Sequence, residues 1–130
     1  MFPYQKPSLS KSYLINENLE QNFIKPLEAF IKENIFLELG KVVSSINKSE
    51  RTIILENGTT RPYDKLVLAT GARPLIPQKL RTDYSNNVFA LRTAEDVMNI
   101  KNAFHKSKEK RVLVIGGGYI GLENAASFVK

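Results

Sequence analysis

Apolar positions change their spacing along this chain, and each change marks an element. Between residues 19 and 34 they fall at Phe23, Leu27, Phe30 and Ile31. That is the three-and-four spacing of one helix face, with Pro26 suited to the first turn and Asn34 to the end. From residue 35 the spacing shortens, so residues 35–39, 41–46 and 51–55 read as brief strands, with Gly40 in a turn between the first two. Asn57-Gly58 follows; both residues tolerate positive φ, which predicts a reversal into residues 59–62 and an antiparallel β-meander. Two continuous apolar runs come later, Leu66-Val67-Leu68-Ala69 and Val112-Leu113-Val114-Ile115. Unbroken runs of this kind belong to strands covered on both faces. Between them Pro74 and Pro77 predict a loop. Thr93-Ala94-Glu95-Asp96 then reads as a capping box with Asp in place of Glu or Gln, opening a helix whose apolar stripe is Val97, Ile100 and Phe104. The first fifteen residues carry Pro3, Pro7, serines, lysines and two tyrosines, and read as exposed extended loop.

The second apolar run enters Gly116-Gly117-Gly118-Tyr119-Ile120-Gly121, a Gly-x-Gly-x-x-Gly turn between a strand and a helix start. A dinucleotide pyrophosphate needs this arrangement. Gly116 permits the tight turn, Gly118 lets backbone N–H groups approach the phosphates, and Gly121 lets the helix pack closely on the strand. The helix N-terminus supplies the positive end of its dipole. A glycine-rich strand-to-helix turn with no ligand is the plainer alternative.

Composition narrows the chemistry. Hydrophobic residues make up 42% of the 130, enough for a core. No apolar run is long enough to span a membrane and no secretory leader is evident, so a cytoplasmic protein is expected. Cysteine is absent, which excludes thiol nucleophiles, cysteine-held clusters and a redox-active Cys pair. A lone histidine, His105, supports neither a zinc site nor a triad and reads as a solvated helix-end residue. The formal charge of +6 is spread among 13 acidic residues without a basic stripe, so nucleic-acid binding is not expected. The densest basic run, residues 106–111, reads as a solvated connection from helix to strand.

Three segments together resemble the FAD-dependent pyridine nucleotide-disulfide oxidoreductases, specifically the ferredoxin, rubredoxin and putidaredoxin reductase branch. They are Pro3-Tyr4-Gln5-Lys6-Pro7-Ser8-Leu9-Ser10-Lys11-Ser12-Tyr13-Leu14, Tyr63-Asp64-Lys65-Leu66-Val67-Leu68-Ala69-Thr70-Gly71-Ala72-Arg73-Pro74, and the glycine turn preceded by Leu91-Arg92-Thr93. The resemblance implies an α/β fold built on two dinucleotide-binding, Rossmann-like domains with an antiparallel β-meander. Residues 1–91 would belong to the FAD-binding domain, without its first βαβ unit, and residues 92–130 would begin the NAD(P)-binding domain.

By the same resemblance Lys11 lies close to the flavin, where a cation would stabilise the anionic reduced ring and raise its potential. A solvated loop lysine is the alternative. Where the family usually has Arg-Pro-Pro this chain has Lys6-Pro7-Ser8, which puts a bidentate contact from that first basic residue in doubt. Val43 matches a valine whose backbone meets the adenine of FAD, and is equally an ordinary strand valine. Ala69, Thr70 and Gly71 match an Ala-Thr-Gly element that passes close to FAD, with glycine permitting the approach. Arg92 matches an arginine that contacts FAD, although an arginine before a helix cap is often a surface residue. In the NAD half, Gly116, Gly118 and Gly121 are joined by Ile120, through its backbone amide, and by Glu123, which matches an acid near the nicotinamide. Glu123 also suits the helix dipole.

The activity implied is hydride transfer from NAD(P)H, with NADH favoured, to FAD, and then electron transfer to a ferredoxin- or rubredoxin-like iron-sulfur protein. No side chain of this stretch is required as a general acid or base. The family's first FAD strand and the remainder of its NAD domain have no counterpart in residues 1–130, so an internal piece that neither holds FAD tightly nor turns over alone is expected. Rival readings are monodehydroascorbate reductase, an apoptosis-inducing-factor-like flavoprotein, and a non-enzymatic module binding a nucleotide or a partner. Coenzyme A disulfide reductase is disfavoured by the missing cysteine.

Overall fold

The computed structural model describes residues 2–15, 23–83 and 86–129. It divides into two compact units, one formed by Met1–Phe2 with Lys25–Gly71 and the other by Pro3–Ile24 with Ala72–Lys130. This is a grouping by packing.

In the first unit, helix α2 spans Leu27–Lys32, with Pro26 as its N-cap in extended conformation (φ −67°, ψ 159°). The helix is shorter than the apolar spacing predicts. Phe23, which belongs with Pro3–Ile24 to the second unit, is not helical but forms an isolated antiparallel bridge with Tyr4 of the same unit, and residues 19–22 lie outside the described residues. Asn34 ends the helix as expected, taking φ 55° while its N–H donates to the Ile31 carbonyl at 3.0 Å.

The meander has three antiparallel strands in sequence order: β1 at Val43–Asn47, β2 at Thr52–Leu55 and β3 at Thr60–Pro62. Two pairings, Val43 with Leu55 and Ser45 with Ile54, leave Ser44 as an extra residue in a bulge, and its hydroxyl donates to the Ile54 carbonyl at 3.0 Å. The β2–β3 reversal differs in detail from the expected Asn-Gly turn. Only Gly58 takes a positive φ, at 79°. Asn57 instead uses its side-chain Oδ1 to accept the Thr59 N–H at 3.1 Å. The result is a longer loop closing on a left-handed glycine. Residues 35–39 are not a strand. They pair with no neighbour in the sheet, and Glu38 is instead forked onto Arg61 of β3, with Nε to Oε1 at 2.7 Å and Nη2 to Oε2 at 3.2 Å. The turn at Gly40 forms as expected, with φ 69°.

The second unit corrects the reading of the chain's start. Residues 3–15 are not an exposed loop: Lys6–Ser8 form a 3-10 turn and Ser12–Ile15 the short helix α1, while Leu9, Tyr13 and Leu14 are buried with Ala94 and Val97. Tyr4, Leu91, Ile100 and Phe128 pack around this core. Burial pushes the Tyr13 phenol above its ordinary pKa, with Tyr4 adding to the shift. A further short helix, α3, covers Gln78–Asp83 where a proline-bounded loop was expected, because Pro77 starts a run of good helix formers.

Helix α4 spans Ala94–Lys106 and begins with the capping box read from the sequence: the Asp96 N–H donates to Thr93 Oγ1 at 3.2 Å, and the Thr93 N–H donates to Asp96 Oδ2 at 2.7 Å. Its other end is closed by Lys110, whose ammonium donates to the carbonyls of Phe104 (2.9 Å) and His105 (2.6 Å). His105 is exposed, as expected. Helix α5 spans Tyr119–Phe128.

The two apolar runs, 66–69 and 112–115, carry no regular secondary structure and pair with no strand among the described residues, and Val67 and Leu113 are largely exposed. A parallel strand needs a neighbour on which to form its ladder, and burial follows from that pairing. Among the described residues no helix is long and apolar enough to cross a membrane.

Candidate functional site

The glycine turn is built as its spacing requires. Gly118 is the extended N-cap of α5, and the first helical bond runs from the Leu122 N–H to the Gly118 carbonyl at 3.1 Å. The N–H groups of Tyr119, Ile120 and Gly121 thus precede the helical ladder and point out of its first turn. Gly116 has φ 116°, a conformation that side chains rarely adopt. A Cβ placed on Gly116, Gly117 or Gly118 would meet nothing, whereas one on Gly121 would strike the Gly116 carbonyl oxygen and approach Val114 Cγ1 to 3.5 Å. Open backbone in front of the helix and tight packing behind it fit a dinucleotide pyrophosphate on these amides.

One turn into α5, Glu123 faces the chain's start. The 3-10 turn continues through the Leu9 N–H to the Lys6 carbonyl (3.1 Å) and the Lys11 N–H to the Ser8 carbonyl (3.1 Å), which sets residues 10 and 11 against α5. The Lys11 ammonium pairs with Glu123 Oε1 at 3.2 Å, and the Ser10 hydroxyl donates to Oε2 at 2.5 Å. The Ser10 bond, followed by that from Lys11, holds the Glu123 carboxyl below its ordinary pKa, against the opposing effect of desolvation. Ser127, a turn later, has its hydroxyl 3.0 Å from the Ser10 carbonyl and 2.9 Å from that of Glu123.

Of the residues singled out in the sequence, Lys11 and Glu123 are therefore brought together, and Gly116, Gly118, Ile120 and Gly121 form one turn and helix start beside them in the chain. Arg92 stands at the head of α4, half-buried, its backbone N–H donating to Asp96 Oδ2 at 3.0 Å. The others belong to the first unit. Val43 is the first residue of β1, beside a shallow hollow of about 180 Å³ lined by Val42, Leu55 and the Gly40 and Asn57 turns. Ala69, Thr70 and Gly71 follow the first apolar run in exposed backbone without regular secondary structure, with Gly71 in the left-handed region at φ 71°. Sequence reasoning missed Ser10 and Ser127. Ser10 lies beside Lys11 in the Leu9-Ser10-Lys11 stretch that carries the resemblance, while Ser127 carries no signal beyond its spacing from Glu123 on a helix.

The family model described as pyridine nucleotide-disulphide oxidoreductase matches residues 1–130. A ferredoxin–NAD(+) reductase component of 3-phenylpropionate/cinnamic acid dioxygenase from Photorhabdus laumondii is 40% identical over 129 residues, 96% of this chain and 31% of that protein. Putidaredoxin reductase CamA from Pseudomonas putida is 39% identical, over 100% of this chain and 31% of its own length. Among solved structures, a covalent putidaredoxin reductase–putidaredoxin complex matches with a TM-score of 0.84 at 38% identity, covering 99% of this chain and 31% of that one. The ferredoxin reductase of the CYP199A2 system from Rhodopseudomonas palustris matches with a TM-score of 0.86 at 34% identity, over 98% and 31% of the two chains. This chain thus spans under a third of the length of these relatives. With an α/β fold, a meander and a glycine turn placed as the resemblance implies, the chain belongs to the pyridine nucleotide-disulphide oxidoreductase family.

Proposed function

We propose that this chain is part of an FAD-dependent oxidoreductase that takes hydride from NAD(P)H, NADH by preference, and passes electrons to a ferredoxin- or rubredoxin-like iron-sulfur protein in the cytoplasm. The observation that carries the reading is the Lys11–Glu123 ion pair at 3.2 Å. It joins the segment that resembles a flavin-flanking loop to the helix that opens at the dinucleotide turn. A reaction between two cofactors needs the two sides to meet at such a place.

In this reading residues 1–91 serve the FAD side and residues 92–130 the NAD side. The backbone of Val43 and the Ala69-Thr70-Gly71 element hold FAD, joined by Arg92 from the first position of the NAD-side stretch, while the amides around Gly116, Gly118, Ile120 and Gly121 hold the pyrophosphate of NADH. Bound FAD accepts a hydride's two electrons and releases them singly. Lys11 places positive charge where the flavin gains electrons, and Glu123 keeps that charge in position.

The test is anaerobic mixing of the FAD-loaded whole protein with NADH, followed by addition of an oxidised ferredoxin. Bleaching of the flavin and then reduction of the ferredoxin are expected, with both slowed in Lys11→Met. A whole protein that carries no flavin, or whose flavin NADH does not bleach, overturns the reading. Turnover with monodehydroascorbate in place of ferredoxin would replace the acceptor.

A further inference from the structure

We propose that Ser10 is a positioning residue, its hydroxyl fixing one oxygen of the Glu123 carboxylate so that the other is held on the Lys11 ammonium. Ser10 is 5% exposed and is the buried polar residue of the core among the described residues. Its Oγ donates to Glu123 Oε2 at 2.5 Å while Lys11 holds Oε1 at 3.2 Å, so one carboxylate bridges two consecutive residues of the chain's start. The backbone is tied in the opposite sense as well, since the Ser127 hydroxyl of α5 reaches the Ser10 carbonyl at 3.0 Å.

The two partners of Glu123 differ in what they specify. Lys11 sits on a flexible stem with 57% of its side chain exposed, and an ion pair of that kind holds geometry weakly. A buried hydroxyl donating to a carboxylate is short and directional, and the groups around it leave it little freedom. Ser10 thereby sets the rotation of the carboxylate, and the carboxylate sets where the ammonium rests. Ser10 itself need not touch a cofactor. Only the consequence for flavin rests on the function proposed above; the linkage among the three side chains does not.

The test uses the FAD-loaded holoprotein as Ser10→Ala, Ser10→Thr and Lys11→Met. The Glu123 side-chain carboxyl is titrated through its ¹³C resonance, and the flavin midpoint potential is measured on the same samples. In Ser10→Ala, Glu123 is expected to titrate at higher pH than in the parent. Ser10→Thr, which keeps the hydroxyl, restores the parental titration, and Lys11→Met lowers the flavin potential. An unmoved Glu123 titration in Ser10→Ala, or an equal upward shift in a folded Ser10→Thr, overturns the proposal. If Glu123 follows the Ser10 hydroxyl while Lys11→Met leaves the potential unmoved, the linkage stands and the flavin reading of the site falls.

Discussion

Gly121 packs against Gly116 so closely that any side chain at 121 would enter the turn's own backbone: a Cβ there strikes the Gly116 carbonyl oxygen and lies 3.2 Å from its carbon. The obstacle is backbone, with no flexible end to move aside. Gly121→Ala must therefore push α5 off the turn, at a cost of about 2 kcal/mol by the usual penalty for overpacking. Urea unfolding reads the loss, and NADH titration of the whole protein should show weaker binding as the helix start moves. An alanine variant with parental stability would mean that the turn is looser than its geometry.

A pH effect follows from Glu38 and Arg61. The hydrogen bond from Arg61 holds the Glu38 carboxyl below its ordinary value, with desolvation opposing and the charges of Arg61 and Lys41 assisting. In the unfolded chain Glu38 titrates near 4.5. Between that value and its lower folded value, the unfolded state binds a proton that the folded state does not. The stability from this pair is therefore present above about 4.5 and lost as pH falls through the folded pKa. Glu38→Gln should be less stable than the parent at neutral pH, with the two converging only at a pH below the lowered folded pKa of Glu38. Urea midpoints at the two values check this; a difference that persists in acid would place the effect elsewhere than in the charge.

What the sequence disclosed follows from distance along the chain. The capping box of Thr93 and Asp96, the Asn34 helix stop, the Gly40 turn and the glycine motif are settled by neighbours a few positions away, and all are legible. The burial of Leu9 and Tyr13 depends on Ala94 and Val97, far along the chain, so a segment with the composition of a loop is folded into the core by partners its own neighbourhood does not reveal. Ser10 and Glu123 are separated by 113 positions, and nothing local in either announces the other. The run Val112-Leu113-Val114-Ile115 is legible as a strand sequence, but a strand is made by pairing, and among the described residues the run pairs with none.

Val97 is the fully buried large side chain among the described residues, packed in the second unit's core with Leu9, Tyr13 and Leu14. Val97→Ala removes two methyl groups and leaves a space that α4, held by its capping box, cannot collapse to fill. The expected loss is about 2–3 kcal/mol, transfer and cavity terms together. Denaturant unfolding measures it, and amide exchange should rise in residues 9–14 as well as in α4. Exchange confined to α4 would show that the chain's start is held by other contacts.

Asn124 follows Glu123 on α5 and carries the opposite liability. Its Oδ1 is buried with no hydrogen-bond partner among the described residues, while asparagine is also a weak helix former in a helix interior. A buried acceptor left unmatched costs more than an apolar group in the same place. Asn124→Ala removes both penalties and gives up some packing, so a net gain of about 1 kcal/mol is expected from the unmet acceptor and the helix propensity. Urea unfolding of the parent and variant holoproteins decides it. A gain accompanied by unchanged Glu123 titration marks Asn124 as a local defect of the helix, independent of the neighbouring ion pair. A loss of stability would mean that this oxygen is engaged by a donor in the assembled protein, and its place beside Glu123 would then make that donor the next group to find.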